Sequence, residues 1–224
     1  MNYKLAPSDF GFLWDECKRC FYLKVRRGFP RPSTPFPGIF THIDSRMKDY
    51  YQGRRTSEIG GAPPAGVIRF GEKWVESAPV ALEGTSATCF VRGKFDTVLH
   101  LDDDSYSVVD FKTSRISPGS AAKYGRQLHA YALALENAAP GKFALAPVTR
   151  LGLMVFEPAE YGHPEGSTAA LKGPMTWLEI PRDDAGFRRF LAEVVALLEE
   201  EEPPPPGESC VFCRYREESR VRGV

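Results

Sequence analysis

The sequence predicts an α/β fold in which a mixed central sheet is flanked by helices, with a small helical lobe built from both ends of the chain. Three segments rich in β-branched and aromatic residues follow one another between residues 66 and 114, as expected of successive strands. Apolar residues recur at helical spacing before and after these segments. Two Cys-x-x-Cys pairs, one near each end of the chain, indicate that the ends meet.

The size of the chain suits one domain. Its 224 residues and 42% hydrophobic content are enough for one sizeable core. We therefore expect a single domain over residues 1–224, with a body at residues 36–200 and a lobe made of residues 1–30 and 207–224. Residues 199–209, where four glutamates precede four prolines, predict an extended, solvated linker to the tail.

Two helices are predicted before the strands. Ser8 is a good N-cap, and apolar residues follow it at helical spacing until Gly28 and two nearby prolines end the pattern. A second helix is predicted from about Gly38 to Tyr51, before a loop rich in glycine and proline.

Strands dominate the middle of the chain. The residues Asp-Asp-Asp-Ser at 102–105 predict a turn between the second and third strands, which would pair them as a hairpin. The predicted elements of the body are strands at 66–77, 88–101, 105–114, 148–158 and 175–181 and helices at 120–136 and 183–200.

Charge and hydropathy limit the partners of the chain. Basic and acidic residues number 29 each, so no overall field attracts nucleic acid or an anionic membrane, and any nucleic-acid contact needs a local basic patch. No stretch approaches the roughly 18 consecutive apolar residues of a membrane-spanning helix, and the first ten residues lack the pattern of an export signal. We therefore expect a cytoplasmic protein without membrane contact, whose cysteines stay reduced.

Two acidic residues and a lysine form the first candidate site. Asp96 lies in the second predicted strand and Asp110 in the third, where Lys112 shares the face of Asp110 because side chains alternate. Hairpin pairing would bring the two carboxylates together, and they repel unless a cation such as Mg²⁺ or Mn²⁺ intervenes. Lys112 could then hold the water that attacks a phosphodiester. An isolated Asp-x-Lys is more often a simple ion pair.

The surrounding motifs support a catalytic interpretation. In chain order they are Gly-x-x-x-His ending at His42, Gly-Lys-Phe-Asp ending at Asp96, Val-Val-Asp-Phe-Lys-Thr-Ser with Asp110 and Lys112, and Gln-x-x-x-Tyr with Gln127 and Tyr131. Together they resemble the PD-(D/E)xK nuclease superfamily, and within it the RecB-like branch. The resemblance implies a restriction-endonuclease-like mixed sheet flanked by helices and a metal-dependent deoxyribonuclease. It further implies a single-stranded DNA exonuclease of DNA repair, recombination or CRISPR adaptation.

The resemblance also implies roles for individual residues. Asp96, Asp110 and His42 would bind Mg²⁺ or Mn²⁺ together with the carbonyl of Phe111. Lys112 would position the attacking water. A lone histidine is more often a satisfied surface or core residue.

The Gln-x-x-x-Tyr motif has two interpretations. By resemblance, Gln127 would orient the catalytic site, and Tyr131 would contact nucleic acid. The two residues are four apart, on one face of a predicted helix, and could equally be a buried amide and a packing ring.

The cysteines supply a second candidate site. Cys17 and Cys20 lie in the first predicted helix, Cys210 and Cys213 lie in the tail, and Cys89 lies alone in a strand as a core residue. Two such pairs predict a four-thiolate metal centre, which zinc and a 4Fe–4S cluster both accept. The resemblance to CRISPR-associated iron-sulfur exonucleases favours iron, although those proteins place one cysteine before the core and three after it. Either metal would pin the tail to the first helix.

A basic patch would form beside that centre. Arg214 and Arg216, with Tyr215 between them, would lie near the basic residues of the first helix and could contact an unpaired strand. A solvated charged face is the alternative. The chain could also be a non-catalytic nucleic-acid-binding or assembly subunit that acts through this lobe. It has no Gly-x-x-x-x-Gly-Lys loop for phosphates, so a helicase or a CRISPR adaptation protein would have to be a partner.

Overall fold

The computed structural model describes residues 1–33, 37–113 and 115–223. The strands are β1 (Asn2–Leu5), β2 (Gly66–Phe70), β3 (Lys73–Glu76), β4 (Val80–Ala81), β5 (Thr88–Phe95), β6 (Thr97–Leu101), β7 (Tyr106–Lys112), β8 (Val148–Phe156), β9 (Glu160–Glu165), β10 (Thr168–Lys172) and β11 (Met175–Ile180). The α-helices are α1 (Pro7–Gly11), α2 (Leu13–Glu16), α3 (Lys18–Arg27), α4 (Gly38–Tyr51), α5 (Pro118–Glu136), α6 (Asp184–Glu199) and α7 (Val211–Arg222). Among the described residues, none of the helices is long and apolar enough to cross a membrane.

The larger sheet has five strands in the order β11-β8-β7-β6-β2. Strands β7 and β8 run parallel and are joined through α5, whereas the other neighbouring strands are antiparallel. Helices α5 and α6 contribute to the core on one face, and α4 packs on the other face. The structure therefore confirms the predicted mixed central sheet flanked by helices. A smaller sheet contains β1, β5 and β3, with β4 also paired to β5.

Two of the predicted strands are each divided between the two sheets. Residues 66–77 form β2 in the larger sheet and β3 in the smaller one, and residues 88–101 form β5 and β6, which separate at Asp96. The prediction of single strands was wrong here, because a run of strand-forming residues does not show where the chain changes sheets. The β9–β10 hairpin was not predicted, and β10 is mostly exposed, so that no buried face marks it. The other predicted elements of the body are confirmed with small shifts at their ends.

Three helices replace the predicted first helix, and a strand that was not predicted, β1, precedes them. β1 pairs in parallel with β5, and the helices are interrupted at Phe12 and Cys17, where the backbone is not helical. The interruptions let Phe10, Trp14 and Phe21 all enter the main core, where Trp14 packs edge to face on Phe21. The prediction of one continuous helix was wrong because apolar spacing alone does not show which part of the core each side chain reaches.

The linker between α6 and α7 is extended, as predicted, but it lies against α3. The hydroxyl of Tyr22 donates to the carbonyl oxygen of Glu200 at 2.9 Å and lies 3.0 Å from that of Glu201. Arg19 donates to the carbonyl oxygen of Pro204 at 3.2 Å. Side chains of α3 therefore hold its backbone, while the linker's own side chains are exposed or half-buried, as expected of a solvated linker.

Candidate active site and cysteine centre

The carboxylates of Asp96 and Asp110 lie close together where β5 gives way to β6, beside β7. The register of β6 with β7 sets this proximity, as the hairpin predicted. The backbone N–H of Phe111 donates to Oδ2 of Asp96 at 3.3 Å. The Lys112 ammonium contacts Oδ2 of Asp110 and lies 4.5 Å from the ring centre of Tyr124 on α5. The structure thus brings together the two acidic residues and the lysine of the predicted motifs.

Asp110 has an unusual electrostatic environment. Its side chain is only 5% exposed, and this burial, together with the charge of Asp96, raises the pKa of Asp110 above that of an ordinary carboxyl, although Lys112 acts to lower it. Burial also disfavours the charged form of Lys112, but the contact with Asp110 outweighs it and raises the pKa of the lysine. The site is therefore a desolvated group of charges, which is the kind of environment found where side chains take part in chemistry.

A second lysine, Lys48 of α4, completes the charged cluster. Its Nζ lies 2.9 Å from Oδ1 of Asp96, 2.7 Å from Asp44 and 2.9 Å from Glu72. Burial acts to lower the pKa of Lys48, but the neighbouring carboxylates raise it, and Asp96 contributes the most to this increase. The sequence analysis did not place Lys48 and Glu72 at this site, because α4 and the loop before β3 are distant from Asp96 in the sequence. The available signal was the four-residue spacing of Asp44 and Lys48 on one helix face.

We expect Lys48→Met to destabilise the protein in EDTA by on the order of 2 kcal/mol, because the facing carboxylates would lose their buried counter-ion. Addition of Mg²⁺ or Mn²⁺ should restore more stability to this variant than to the wild type. Thermal melting with and without metal measures both effects. Lys94→Met is the matched control, because Lys94 pairs with Glu72 and not with Asp96 among the described residues, and its side chain is 45% exposed. Equal melting of wild type and Lys48→Met in EDTA would contradict the expectation.

His42 lies on a different side of α4 from these residues. It is exposed, and with Arg46 and Tyr50 it lines a groove between α4 and the ends of β8 and β10. Asp44, two positions further along, is near Asp96 instead, because each helical residue is rotated by about 100° from the one before it. The structure does not bring His42 to the carboxylates, so its role as a metal ligand stays a prediction.

Gln127 and Tyr131 lie on α5 beside the same site. Tyr131 is buried, its hydroxyl donates to the carbonyl oxygen of Lys94 at 2.7 Å, and Gln127 hydrogen-bonds to it. Burial, together with the charges of Asp110 and Asp96, raises the pKa of Tyr131. This position fixes α5 against β5 and favours a structural role for Tyr131 over contact with a base. The orienting role of Gln127 stays a prediction.

The carboxylate site suits a divalent cation. Oδ2 of Asp110 is buried against the ammonium of Lys112, and the carboxylate of Asp110 lies beside that of Asp96. An anionic oxygen in such a place is costly unless a cation completes its coordination. The neighbouring carboxylate of Asp96 supplies a second oxygen ligand of the type that Mg²⁺ and Mn²⁺ prefer.

The four cysteines of the two Cys-x-x-Cys pairs form a buried cluster. Their Sγ atoms all lie within 4.8 Å of one another. Sγ of Cys17 is 3.7 Å from that of Cys213, and Sγ of Cys20 is 3.7 Å from Cys210 and 3.5 Å from Cys213. Cys89 is buried elsewhere, in β5. The structure therefore confirms the predicted four-cysteine cluster, which could hold a metal.

Each cysteine pair lies at the start of a helix. Cys17 is the N-cap of α3 and Cys210 is the N-cap of α7. The N–H of Gly207 donates to Sγ of Cys17 at 3.4 Å, and Arg31 donates to Sγ of Cys210 at 3.4 Å. Burial acts to raise the pKa of Cys17, but backbone hydrogen bonds from Gly207 and Cys20 help to lower this pKa to about 6. These surroundings favour the thiolate form of Cys17, which is the form that binds a metal, whereas burial raises the pKa of Cys20 and Cys213.

The tail arginines differ in their exposure. Arg214 is exposed on α7, and the neighbouring Tyr215 is 72% exposed. The guanidinium of Arg216 lies 4.6 Å from the ring centre of Phe29, so it helps to pack α7 against the loop after α3. Arg214 is thus free to meet a partner, and the role of Arg214 and Arg216 in binding nucleic acid stays a prediction.

The sequence matches a known protein family. A family model for the PD-(D/E)XK nuclease superfamily matches residues 45–217, well over half of the chain. The chain belongs to the PD-(D/E)XK nuclease superfamily. Members of this superfamily are generally nucleases that use divalent metal ions. The matched segment contains Asp96, Asp110 and Lys112, whereas His42 and the first cysteine pair precede it.

Other comparisons give less detail about this superfamily member. No curated protein matches it. A solved structure described as the crystal structure of SSO0001 is similar at 15% identity, over 90% of this chain and 79% of that one, with a TM-score of 0.45. The RecB-like branch and the likeness to CRISPR-associated exonucleases stay predictions.

Proposed function

We propose that this superfamily member is a metal-dependent deoxyribonuclease that hydrolyses phosphodiester bonds of single-stranded DNA from an end. The observation that supports it most is the buried carboxylate of Asp110 between Asp96 and Lys112. Two desolvated carboxylates beside an ammonium gain little stability from one another. They are, however, suited to hold a cation next to an activated water.

Each residue of the cluster has a part in the proposed reaction. Asp96 and Asp110 would hold Mg²⁺ or Mn²⁺, with the carbonyl of Phe111 as a further candidate ligand. When bound, the ion polarises the scissile phosphate and stabilises its developing negative charge. Lys112 donates a hydrogen bond to the attacking water and so fixes its direction of approach.

A groove beside α4 supports a single-stranded substrate. Tyr50 is 60% exposed, and the guanidinium of Arg54 lies 4.3 Å from its ring centre. His42 and Arg46 line the same groove. Aromatic and basic side chains in this combination stack on unpaired bases and neutralise backbone phosphates. The bases of a duplex are already stacked on one another, so this surface favours a strand with free bases.

Cleavage of end-labelled single-stranded and duplex DNA in the presence of Mg²⁺, Mn²⁺ or EDTA tests the proposal. We expect the wild type to shorten the single strand from an end. Lys112→Ala should cut at least about 100-fold more slowly, because the attacking water loses the group that positions it. Lys142→Ala is the control. It removes a lysine that is 46% exposed and pairs with Glu76 away from Asp110, and it should cut like the wild type.

The possible outcomes separate the alternatives. Metal-dependent cuts within the strand would keep the nuclease assignment and contradict the exonuclease part. DNA binding without cleavage by the wild type would contradict the proposal and favour a non-catalytic binding or assembly subunit. A helicase or CRISPR adaptation partner and a cytoplasmic location stay predictions.

A further inference from the structure

We propose that the four-cysteine centre binds a single tetrahedral metal ion, zinc by its chemistry, and not a 4Fe–4S cluster. The centre joins Cys17 and Cys20 to Cys210 and Cys213. The inference does not rest on the deoxyribonuclease proposal, because it concerns a site made of other residues. It reverses the preference for iron that the resemblance to iron-sulfur exonucleases suggested.

The separations between sulfur atoms support a single ion. Three of the six pairs are 3.5, 3.7 and 3.7 Å apart, and all four Sγ atoms lie within 4.8 Å of one another. Zinc–sulfur bonds of about 2.3 Å in a tetrahedron place the sulfurs about 3.8 Å apart. In a 4Fe–4S cluster each cysteine binds a different iron, so the sulfurs stand further apart than bonds to one ion allow. The space between these sulfurs has room for one ion.

The surrounding backbone keeps the two cysteine pairs at this spacing. A Cβ atom added at Gly207 would lie 2.6 Å from the carbonyl oxygen of Glu16, so the linker passes directly against the residue before Cys17. Arg31 bridges the two pairs from the other side, because it donates both to Sγ of Cys210 and to the carboxylate of Glu16. Separating the pairs far enough for four irons and four sulfides would break both contacts.

The charges around the centre also suit a tetrathiolate ion. Four thiolates around a divalent cation leave an excess of negative charge. Because Cys17 and Cys210 begin α3 and α7, the positive ends of two helix dipoles meet at the centre. The guanidinium of Arg31 adds a full positive charge. Thiolates select zinc over the hard cations of the carboxylate site.

A zinc ion here has no redox role, so its function is to fasten the ends of the chain to each other. Zinc binding would supply the free energy that holds α7 on α3, because the helices contact through the ligands themselves. The carboxylate site lies in the central sheet and would keep its own ion. The protein would then carry two metals of different chemistry.

Metal content tests the inference directly. The full chain is produced in iron-supplemented medium, purified without oxygen and analysed by mass spectrometry for metals and by assay for sulfide. We expect a colourless protein with about one zinc per chain and almost no iron. Replacement of zinc by Co²⁺ should give the intense visible bands of tetrahedral cobalt bound to thiolates. A brown protein with about four irons and four sulfides per chain would overturn the inference.

Two variants show which residues hold the ion. Cys213→Ser should lower the zinc content at least about tenfold, because three thiolates and a hydroxyl bind the ion poorly. Cys89→Ala removes the cysteine outside the cluster and should keep one zinc. If Cys213→Ser does not fold, the metal count and the cobalt spectrum of the wild type still decide between one ion and a cluster. Zinc retained by Cys213→Ser at the wild-type level would also overturn the inference.

Discussion

Asp110→Asn is expected to abolish metal-dependent cleavage and, in EDTA, to remove most of the dependence of folding stability on pH between about 4 and 7. Oδ2 of Asp110, which is buried against the ammonium of Lys112, is the oxygen that we assign to the metal. An amide in its place cannot carry the negative charge that a divalent cation requires. We therefore expect cleavage to fall by about 1,000-fold or more.

The direction of the pH effect follows from the pKa of Asp110. Burial and Asp96 raise this pKa from 3.8 to about 7 in the folded protein, so the folded state holds the proton more tightly than the unfolded state. Stability is therefore greatest below about pH 4 for this group and falls as pH rises towards 7, by roughly 4 kcal/mol at most. Asparagine resembles the protonated carboxyl, so the variant should keep at pH 8 the contribution that this group makes in the wild type below about pH 4.

Thermal melting in EDTA at pH 5 and pH 8 measures this difference. Mg²⁺ or Mn²⁺ should stabilise the wild type at pH 8 and leave Asp110→Asn unchanged, because only the wild type can bind the ion. Asp104→Asn is the matched control, since the Asp104 side chain is 95% exposed in the turn before β7. Cleavage by Asp110→Asn at the wild-type rate, or a wild-type stability that rises from pH 5 to pH 8 in EDTA, would contradict the assignment.

Cys210→Ser should release α7 and expose the tail to trypsin. The centre closes a long loop, since Cys20 and Cys210 are 190 residues apart in sequence, and most of the hold on α7 passes through the metal ligands. We expect cleavage after the tail arginines to be at least about tenfold faster than in the wild type. The products are identified by mass spectrometry of a digestion time course.

The matched variant for this experiment is Cys89→Ala, which lacks a thiol in β5 but keeps the centre. It should resist trypsin like the wild type. Mn²⁺ binding at Asp96 and Asp110 should persist in Cys210→Ser, because the central sheet does not depend on α7. Equal protection of the tail in both variants would show that the cysteine centre does not hold it.

The fold was predictable from sequence wherever one periodic pattern belongs to one element. Helix α4 was predicted with the bounds that the structure gives, and β7 was recognised from its β-branched and aromatic residues. The prediction failed where residues adjacent in the sequence pack in different parts of the fold. Cys17 adopts an extended backbone between two helices, and β5 and β6 belong to different sheets. Those choices depend on distant parts of the chain, which local spacing does not describe.

The candidate site was predictable to a similar degree. Asp96, Asp110 and Lys112 were found because a hairpin register and a period of two are local properties. Lys48 and Glu72 reach the cluster from a helix and a loop, so only the folded chain shows them together. The sequence spacing of the cysteines suits zinc and a cluster alike, whereas the distances between their sulfurs support the single ion that we propose.

Asp96 lies where the chain passes from the smaller sheet into the larger one, while Asp110 lies within the larger sheet. The distance between the two carboxylates therefore depends on how the two sheets are aligned. Helix α5 touches both sheets and sets that alignment, and Gly93 in β5 admits the ring of Tyr131 so closely that a methyl group there would lie 3.1 Å from it. Preference for a smaller or a larger cation would then be tunable by substitutions at Gly93 and Tyr131, which are not metal ligands themselves.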